Sequence, residues 1–202
     1  GLVAKDGVVF FAVKKTDEKQ NKFLTDDSLS KIFFIEDHII LSGSGLLGDL
    51  QYLVSYARIQ AQNLNLLYGE PASVQMLVRQ IASALLIHTQ IAGYRPFGVS
   101  LLISGVTKQR IQLFKIDPSG SFYSYYAIAL GEGVNEIFEY LDKHFKMDLN
   151  LEQQLSFGVK ALKQFYPNLE NNQLEIVFIK NKTNIKYHKL TLEEINNYNP
   201  NN

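Results

Sequence analysis

The sequence contains no cysteine, and this absence excludes disulfide bonds, zinc sites built on thiolates and cysteine nucleophiles. An excess of charge is also missing, because 20 Lys and Arg residues balance 20 Asp and Glu residues over 202 positions. Nucleic-acid binders and polybasic membrane anchors depend on such an excess, so we expect neither kind of partner. No apolar run approaches the ~18 residues of a membrane-spanning helix, and the first residues lack the pattern of a signal peptide. Together with 46% hydrophobic residues, these absences predict a soluble intracellular domain.

The spacing of the hydrophobic residues switches between the period of strands and the period of helices, in groups. Strands are predicted at residues 8–13, 31–35, 38–41, 99–106, 110–116, 121–130, 174–180 and 183–190. Helices are predicted at residues 50–67, 74–88, 134–141, 151–166 and 191–194. Because strands come in hairpin-sized groups and helices in pairs, we expect a single α+β domain over residues 1–202, with two antiparallel sheets packed face to face between two helical pairs. Residues 14–22 are predicted to form a solvated loop, and residues 196–202 a disordered tail.

The segment Gly43-Ser44-Gly45-Leu46-Leu47-Gly48 matches the G-x-G-x-x-G pattern of dinucleotide-binding proteins and lies between a predicted strand and a predicted helix. In such proteins the glycines let a pyrophosphate approach the N-terminus of the helix. The next element here is a second helix rather than a parallel strand, which favours a tight strand-to-helix turn with a close backbone approach. Dinucleotide binding through Gly43–Gly48 stays open as the less favoured alternative.

Other chemical signals are weak. The four histidines lie in four different predicted elements, and none has metal-ligand spacing with another: His38, His88, His144 and His188. The G-x-S-x-G pattern of a serine nucleophile elbow does not occur. We therefore predict no metal site and no cofactor.

One segment of the chain resembles a known family. Residues 93–102, GYRPFGVSLL, are similar to the RPFGVSLL signature of α-type subunits of the 20S proteasome, with Arg95, Pro96, Phe97 and Gly98 at its centre. The turn Asp117-Pro118-Ser119-Gly120 follows at the spacing found in that family. Further similar segments are Lys5-Asp6-Gly7-Val8-Val9, Ser30-Lys31-Ile32, Ser44-Gly45-Leu46 with Asp49, Ala57-Arg58 and Ala61-Gln62-Asn63. The resemblance covers essentially the whole chain, and the arginine-proline segment distinguishes α-type from β-type subunits.

The resemblance implies the four-layer αββα sandwich of the N-terminal-nucleophile hydrolases. In a catalytic β-type subunit of this family, an N-terminal threonine attacks the peptide, a lysine activates it and an aspartate orients the lysine. Lys31 matches the lysine, Val13 occupies the position of the aspartate, and the sequence begins with Gly1. The resemblance therefore implies a subunit that is not an enzyme, and an active threonine peptidase of the same fold is the alternative. The gating tail and first helix of the family would precede Gly1.

The resemblance also implies partners. An α-type subunit forms a seven-membered ring with other α subunits, contacts the β-ring subunits, restricts substrate entry for protein degradation and binds the C-terminal tails of activators. Those tails insert between neighbouring α subunits, where Lys31 corresponds to the pocket lysine and Gly45 with Leu46 to the neighbouring wall. An ammonium group near a terminal carboxylate forms a charge-assisted hydrogen bond. The implied location is the cytoplasm and the nucleus.

Overall fold

A computed structural model of the chain describes residues 1–14 and 26–198. In this part of the chain the strands are β1 Leu2–Ala4, β2 Gly7–Val13, β3 Ile32–Glu36, β4 Ile39–Gly45, β5 Val99–Val106, β6 Ile111–Ile116, β7 Phe122–Ser124, β8 Leu174–Lys180 and β9 Tyr187–Lys189. The α-helices are α1 Leu47–Tyr68, α2 Val74–Gln90, α3 Val134–His144, α4 Leu151–Phe165 and α5 Leu192–Asn197. Short 3-10 turns occupy Asp26–Leu29 and Asn171–Gln173.

The strands form two antiparallel sheets, ordered β1-β2-β8-β9 and β3-β4-β5-β6-β7. Both faces of the central strands are apolar. In β2, Val8 and Phe10 pack between the sheets, whereas Val9 and Phe11 pack on the helical side. The layers therefore run from α1 and α2, through the five-stranded and four-stranded sheets, to α3 and α4. The expected αββα sandwich is confirmed.

The outer helices use the apolar stripes that their spacing predicts. On α1 the buried positions include Leu50, Leu53 and Ala57, which pack with α2 against the outer face of the five-stranded sheet. On α4 the stripe includes Leu155 and Val159, which pack against the outer face of the other sheet. The helical pairs thus cover both sheets and leave the strand ends accessible at the rim of the sandwich.

Several sequence-based boundaries are corrected by the structure. The strand expected over residues 121–130 is shorter, because β7 ends at Ser124 and the chain then crosses to the other sheet, where Ala127 bridges to Leu2. The strand β1 was not predicted, since three residues are too few to show a period. Of the strand expected over 183–190, only β9 forms.

Two predictions concern segments that the structure describes only in part. Of the predicted loop over residues 14–22, residues 15–22 lie outside the described residues. Of the tail predicted over residues 196–202, Asn196 and Asn197 instead belong to α5, and residues 199–202 lie outside the described residues. The helix α5 forms because Thr191 and Glu194 make the capping box that their spacing predicts.

The glycine motif spans the end of β4 and the start of α1. Because β4 pairs antiparallel with both β3 and β5, and α1 leads into α2, the parallel strand-helix-strand unit needed for dinucleotide binding does not form here. The favoured alternative, a close backbone approach, is present at Gly45. Its φ of 138° suits glycine, and a Cβ there would lie 2.1 Å from the carbonyl oxygen of Gly98.

Replacing these glycines one at a time tests this account. We expect Gly45→Ala to lower the free energy of unfolding by about 3 kcal/mol or more, because it combines a strained φ with a clash against backbone. Gly48→Ala is the matched control, since no heavy atom lies within 4 Å of the added methyl group and the site is helical. It should be neutral or stabilise the protein by up to about 1 kcal/mol. Equal urea denaturation midpoints for the two variants would contradict the close approach at Gly45.

Candidate functional site

The arginine-proline segment is fastened to the start of α1 by one carboxylate. Arg95 forms a two-pronged ion pair with Asp49, in which Nη1 lies 2.8 Å from Oδ2 and Nη2 lies 2.6 Å from Oδ1. The backbone N–H of Gly98 donates to the same Oδ2 at 2.8 Å. In return, the N–H of Leu46 donates to the carbonyl of Gly98 at 2.9 Å. The segment containing Arg95 and the turn containing Gly45 and Leu46 are therefore one local structure, which we term the clamp (Gly45, Leu46, Asp49, Arg95 and Gly98).

The contacts of the clamp change the pKa of its carboxylate, Asp49. The hydrogen bonds from Arg95 and then from the Gly98 amide, opposed by partial burial, lower the pKa of Asp49 from 3.8 to about 2. Asp49 also lies in the first turn of α1, where the helix dipole favours a negative charge. The side chain of Arg95 remains 63% exposed, whereas that of Asp49 is 12% exposed, so the pair lies at the surface with its arginine toward solvent.

The rest of the signature packs around the clamp. Phe97 stacks with Tyr52 of α1 at 5.8 Å between ring centroids, and contacts His88 of α2 at 4.6 Å. Pro96 accepts a hydrogen bond from Arg95 through its carbonyl. These contacts join the segment to both outer helices on this side.

The turn Asp117-Pro118-Ser119-Gly120 lies apart from the clamp. Its Gly120 has φ of 84°, and a Cβ there would lie 2.6 Å from the carbonyl oxygen of Ala82 in α2. Asp117 forms an ion pair with Lys115 at 2.9 Å, and its carbonyl accepts from the Gly120 N–H at 2.9 Å. The turn packs β6 and β7 against α2 and contributes no group to the clamp.

Lys31 lies just before β3, at the edge of a cavity. Its Nζ donates to the carbonyl of Val13 at 2.7 Å, and its carbonyl accepts from the hydroxyl of Ser42 at 2.7 Å. The side chain is exposed. The structure thus brings together Lys31 and Val13, which occupy the positions of the lysine and the aspartate in catalytic β-type subunits. Here the lysine contacts a backbone oxygen rather than a carboxylate.

The cavity next to Lys31 has a volume of about 370 Å³. It lies between the ends of the sheets and the helices α3 and α4, and apolar side chains such as Phe157 and Leu162 line its inner side. Ser44 and Gly43 also line it, whereas Gly45 and Leu46 do not. Leu46 is instead 55% exposed at the start of α1. Among the described residues, Lys31 and the pair Gly45 and Leu46 therefore lie at the same sheet edge but do not line one cavity.

A buried carboxylate, that of Glu175, binds the backbone of Lys31. Glu175 of β8 has a fully buried side chain and accepts from the Lys31 backbone N–H at 2.7 Å. The hydroxyl of Ser30 donates to its other oxygen, which also forms an ion pair with Lys189 at 3.0 Å. Glu175 was not among the site residues predicted from the sequence. The available signal was one acidic residue within the apolar run Leu174–Ile179.

The remaining candidates do not form a second site. Within residues 1–14 and 26–198, no cluster of three or more metal-ligating side chains is found. Both ring nitrogens of the buried His38 have protein partners: Nε2 lies 2.9 Å from the Ala72 carbonyl oxygen, and Nδ1 lies 3.3 Å from the Glu36 carboxylate. No helix in the described part of the chain is long and apolar enough to span a membrane.

Comparison with known proteins gives a consistent result. Residues 1–179 match the family model described as "Proteasome subunit". The chain is 36% identical over 200 residues to "Proteasome subunit alpha" of Pyrococcus horikoshii, covering 98% of this chain and 74% of that protein. It is 36% identical over 195 residues to the protein of the same name from Methanocaldococcus jannaschii, covering 96% and 73%. With that of Saccharolobus solfataricus the identity is 37% over 201 residues, covering 98% and 82%.

The clamp predicts a specific dependence of stability on pH. Because the pKa of Asp49 is lower in the folded state, its carboxylate stabilises the fold above about pH 4, and this contribution is lost as pH falls toward 2. We expect Asp49→Asn to lower the free energy of unfolding at pH 7 by about 1.5–3 kcal/mol, the range for hydrogen bonds to a charged group. The difference from the unsubstituted protein should shrink between pH 4 and pH 2.

Urea denaturation of both proteins at a series of pH values measures that difference. Asp142→Asn, at an exposed position of α3, is the control and should change stability little at any pH. A difference between Asp49→Asn and the unsubstituted protein that stays constant down to pH 2 would show that the charge of Asp49 does not stabilise the fold.

Proposed function

The chain belongs to the proteasome subunit family, and from this premise we propose that it is a non-catalytic α-type subunit that joins a ring, restricts entry and binds the C-terminal tails of activators. The relatives named as α subunits support the α type, and the arginine-proline segment supports it independently. The partners in this proposal are other α subunits, β-ring subunits and activator tails. The roles of individual residues rest on the geometry of the Lys31 edge.

The observation that carries the non-catalytic assignment is the hydrogen bond between Lys31 Nζ and the Val13 carbonyl. A threonine peptidase of this fold uses an aspartate to orient the lysine and to stabilise its charge. Here the corresponding side chain is an isopropyl group, which can neither accept a proton nor a hydrogen bond. A backbone oxygen fixes the ammonium in one direction but supplies no negative charge. The alternative of an active threonine peptidase therefore lacks its orienting group.

The tail-binding role depends on where the ammonium and the clamp lie. Lys31 is exposed at the sheet edge, and its carbonyl bonds to Ser42, two residues before Ser44 on β4. The next turn presents Leu46, more than half exposed, beside a guanidinium that is also exposed. A cation next to an apolar wall suits a peptide that ends in a free carboxylate after an apolar residue. Since Lys31 and Leu46 do not line one cavity in the described part of the chain, a neighbouring subunit would complete the pocket.

The first prediction from this proposal concerns catalysis. The protein within its assembled particle should take up no threonine-directed covalent inhibitor, because Val13 replaces the orienting carboxylate. Mass spectrometry of every subunit after inhibitor treatment measures the label. Labelling of catalytic β-type subunits in the same sample serves as the positive control, and labelling of this chain would overturn the non-catalytic assignment.

The second prediction concerns Lys31. In an assembled ring, Lys31→Ala should weaken binding of a single-tail activator peptide by about 1–3 kcal/mol, because a partly desolvated carboxylate loses its cation. The free energy of unfolding should change by no more than about 1 kcal/mol, since the side chain is exposed. Raising the salt concentration should narrow the difference between the variants, because screening weakens the pair.

Two controls make this experiment specific. The same peptide amidated at its C-terminus lacks the carboxylate, and its weaker binding should be insensitive to Lys31→Ala. Lys108→Ala removes an exposed lysine from the turn between β5 and β6 and should leave tail binding unchanged. If Lys31→Ala binds the free-acid peptide as tightly as the unsubstituted ring at low salt, Lys31 is not the pocket cation.

A further inference from the structure

The carboxylate of Glu175 is the most deeply buried charged group among the described residues with a network of its own. Its side chain has no exposed surface, and it lies on the inner face of β8, which also carries Val177 and Ile179 between the sheets. The donors that surround it come from separate parts of the chain: the hydroxyl of Ser30, the backbone N–H of Lys31 and the ammonium of Lys189. One carboxylate therefore connects the four-stranded sheet to the start of β3 in the other sheet.

A charge at this depth needs a reason beyond stability. Burying a carboxylate costs free energy that pairing recovers only in part, and well-packed apolar residues of similar volume are often as stable or more stable. The neighbouring inner-face side chains of β8, Val177 and Ile179, are apolar, so an apolar side chain at position 175 would match its surroundings. What an apolar side chain could not do is hold the backbone of Lys31 at a fixed point.

The paired strands β2 and β8 bind Lys31 both at its backbone N–H and at its side-chain ammonium. In the register of β2 with β8, Ala12 lies opposite Glu175 and Val13 lies opposite Leu174. Glu175 binds the backbone N–H of Lys31, and the neighbouring Val13 carbonyl accepts from its Nζ. Two contacts one residue apart in register therefore help to set the position of the ammonium relative to the sheet edge.

We propose that Glu175 is a positioning residue, which fixes the main chain at Lys31 so that the ammonium faces an incoming carboxylate tail. This inference rests on the proposed tail-binding function and adds to it a residue that touches no tail. Lys189, whose side chain is 37% exposed, supplies the compensating charge from β9. Ser30 completes the hydrogen bonding of the carboxylate.

The test compares Glu175→Gln with Val177→Ala in the assembled ring. Gln keeps the shape of Glu175 but removes its charge, whereas Val177→Ala weakens the same face of the same strand and leaves the carboxylate in place. We expect Glu175→Gln to weaken binding of the free-acid tail peptide about threefold or more, and Val177→Ala to change it less than twofold even if its loss of stability is larger. Hydrogen exchange should show faster exchange of the Lys31 amide in Glu175→Gln only.

A double substitution tests whether Glu175 acts on tail binding through Lys31. If Glu175 acts through Lys31, Glu175→Gln should cause no further loss of tail binding in a Lys31→Ala ring. Equal losses in both backgrounds would overturn the inference, because Glu175 would then act elsewhere. Unchanged tail binding in Glu175→Gln, with Lys31→Ala still impaired, would overturn the inference and leave the tail-binding function standing. Unchanged binding in Lys31→Ala itself would overturn both.

A second variant covers a failure of Glu175→Gln to assemble. Ser30→Ala removes one hydrogen bond to the carboxylate and keeps its ion pair with Lys189. It should weaken tail binding in the same direction by a smaller factor, and this loss should again vanish in a Lys31→Ala ring. Tail binding equal to that of the unsubstituted ring in Ser30→Ala, with a faster-exchanging Lys31 amide, would overturn the positioning role.

Discussion

Face-to-face packing of the two antiparallel sheets is the constraint on which the other features of this chain depend. Each central strand is buried on both faces, so a polar group that enters the space between the sheets must find partners there. Ser104 does so by donating to the Gln112 carbonyl on the neighbouring strand. Glu175 does so with groups from both sheets, which makes it a connection between layers as well as a satisfied buried charge.

Two groups of contacts, the clamp and the network around Glu175, join different segments at the edge of the sandwich. The Asp49–Arg95 pair joins the start of α1 to the segment before β5, and the Glu175 network joins β8 to the segment before β3. The Glu175 network includes Lys31, whose side chain is exposed, and the clamp includes Leu46, whose side chain is also exposed. Both groups use a carboxylate that accepts a backbone N–H, so each fixes main chain as well as a side chain.

Much of the fold could be predicted from the sequence because the periods of its long elements are clear. The stripes of α1 and α4 and the runs of β5 and β8 predicted their own boundaries within a few residues. Short elements such as β1 and β9 were missed or overextended, because pairing with a neighbour rather than local pattern decides where they end. The crossing after Ser124 is of the same kind, since it depends on Leu2 at the other end of the chain.

In the candidate site, too, some residues could be predicted from the sequence and others could not. The positions of Lys31, Gly45 and Arg95 could be found because they lie in segments that resemble a family. The function of Asp49 as the partner of Arg95 could not, since 46 residues separate them and no local pattern links a helix-start aspartate to a later arginine. Glu175 was missed for a stronger reason: its partners Ser30 and Lys31 are about 145 residues away, and only the packing of two sheets brings them together.

The pairing of β2 with β8 also determines when the protein can finish folding. Gly7–Val13 is synthesised long before Leu174–Lys180, the strand that covers its second edge. Until then β2 has one short neighbour, β1, and an open row of backbone donors and acceptors on its other side. Such long-range pairing slows folding and prolongs the exposure of an aggregation-prone edge during synthesis. During synthesis this edge of β2 therefore stays uncovered until Leu174–Lys180 has been made.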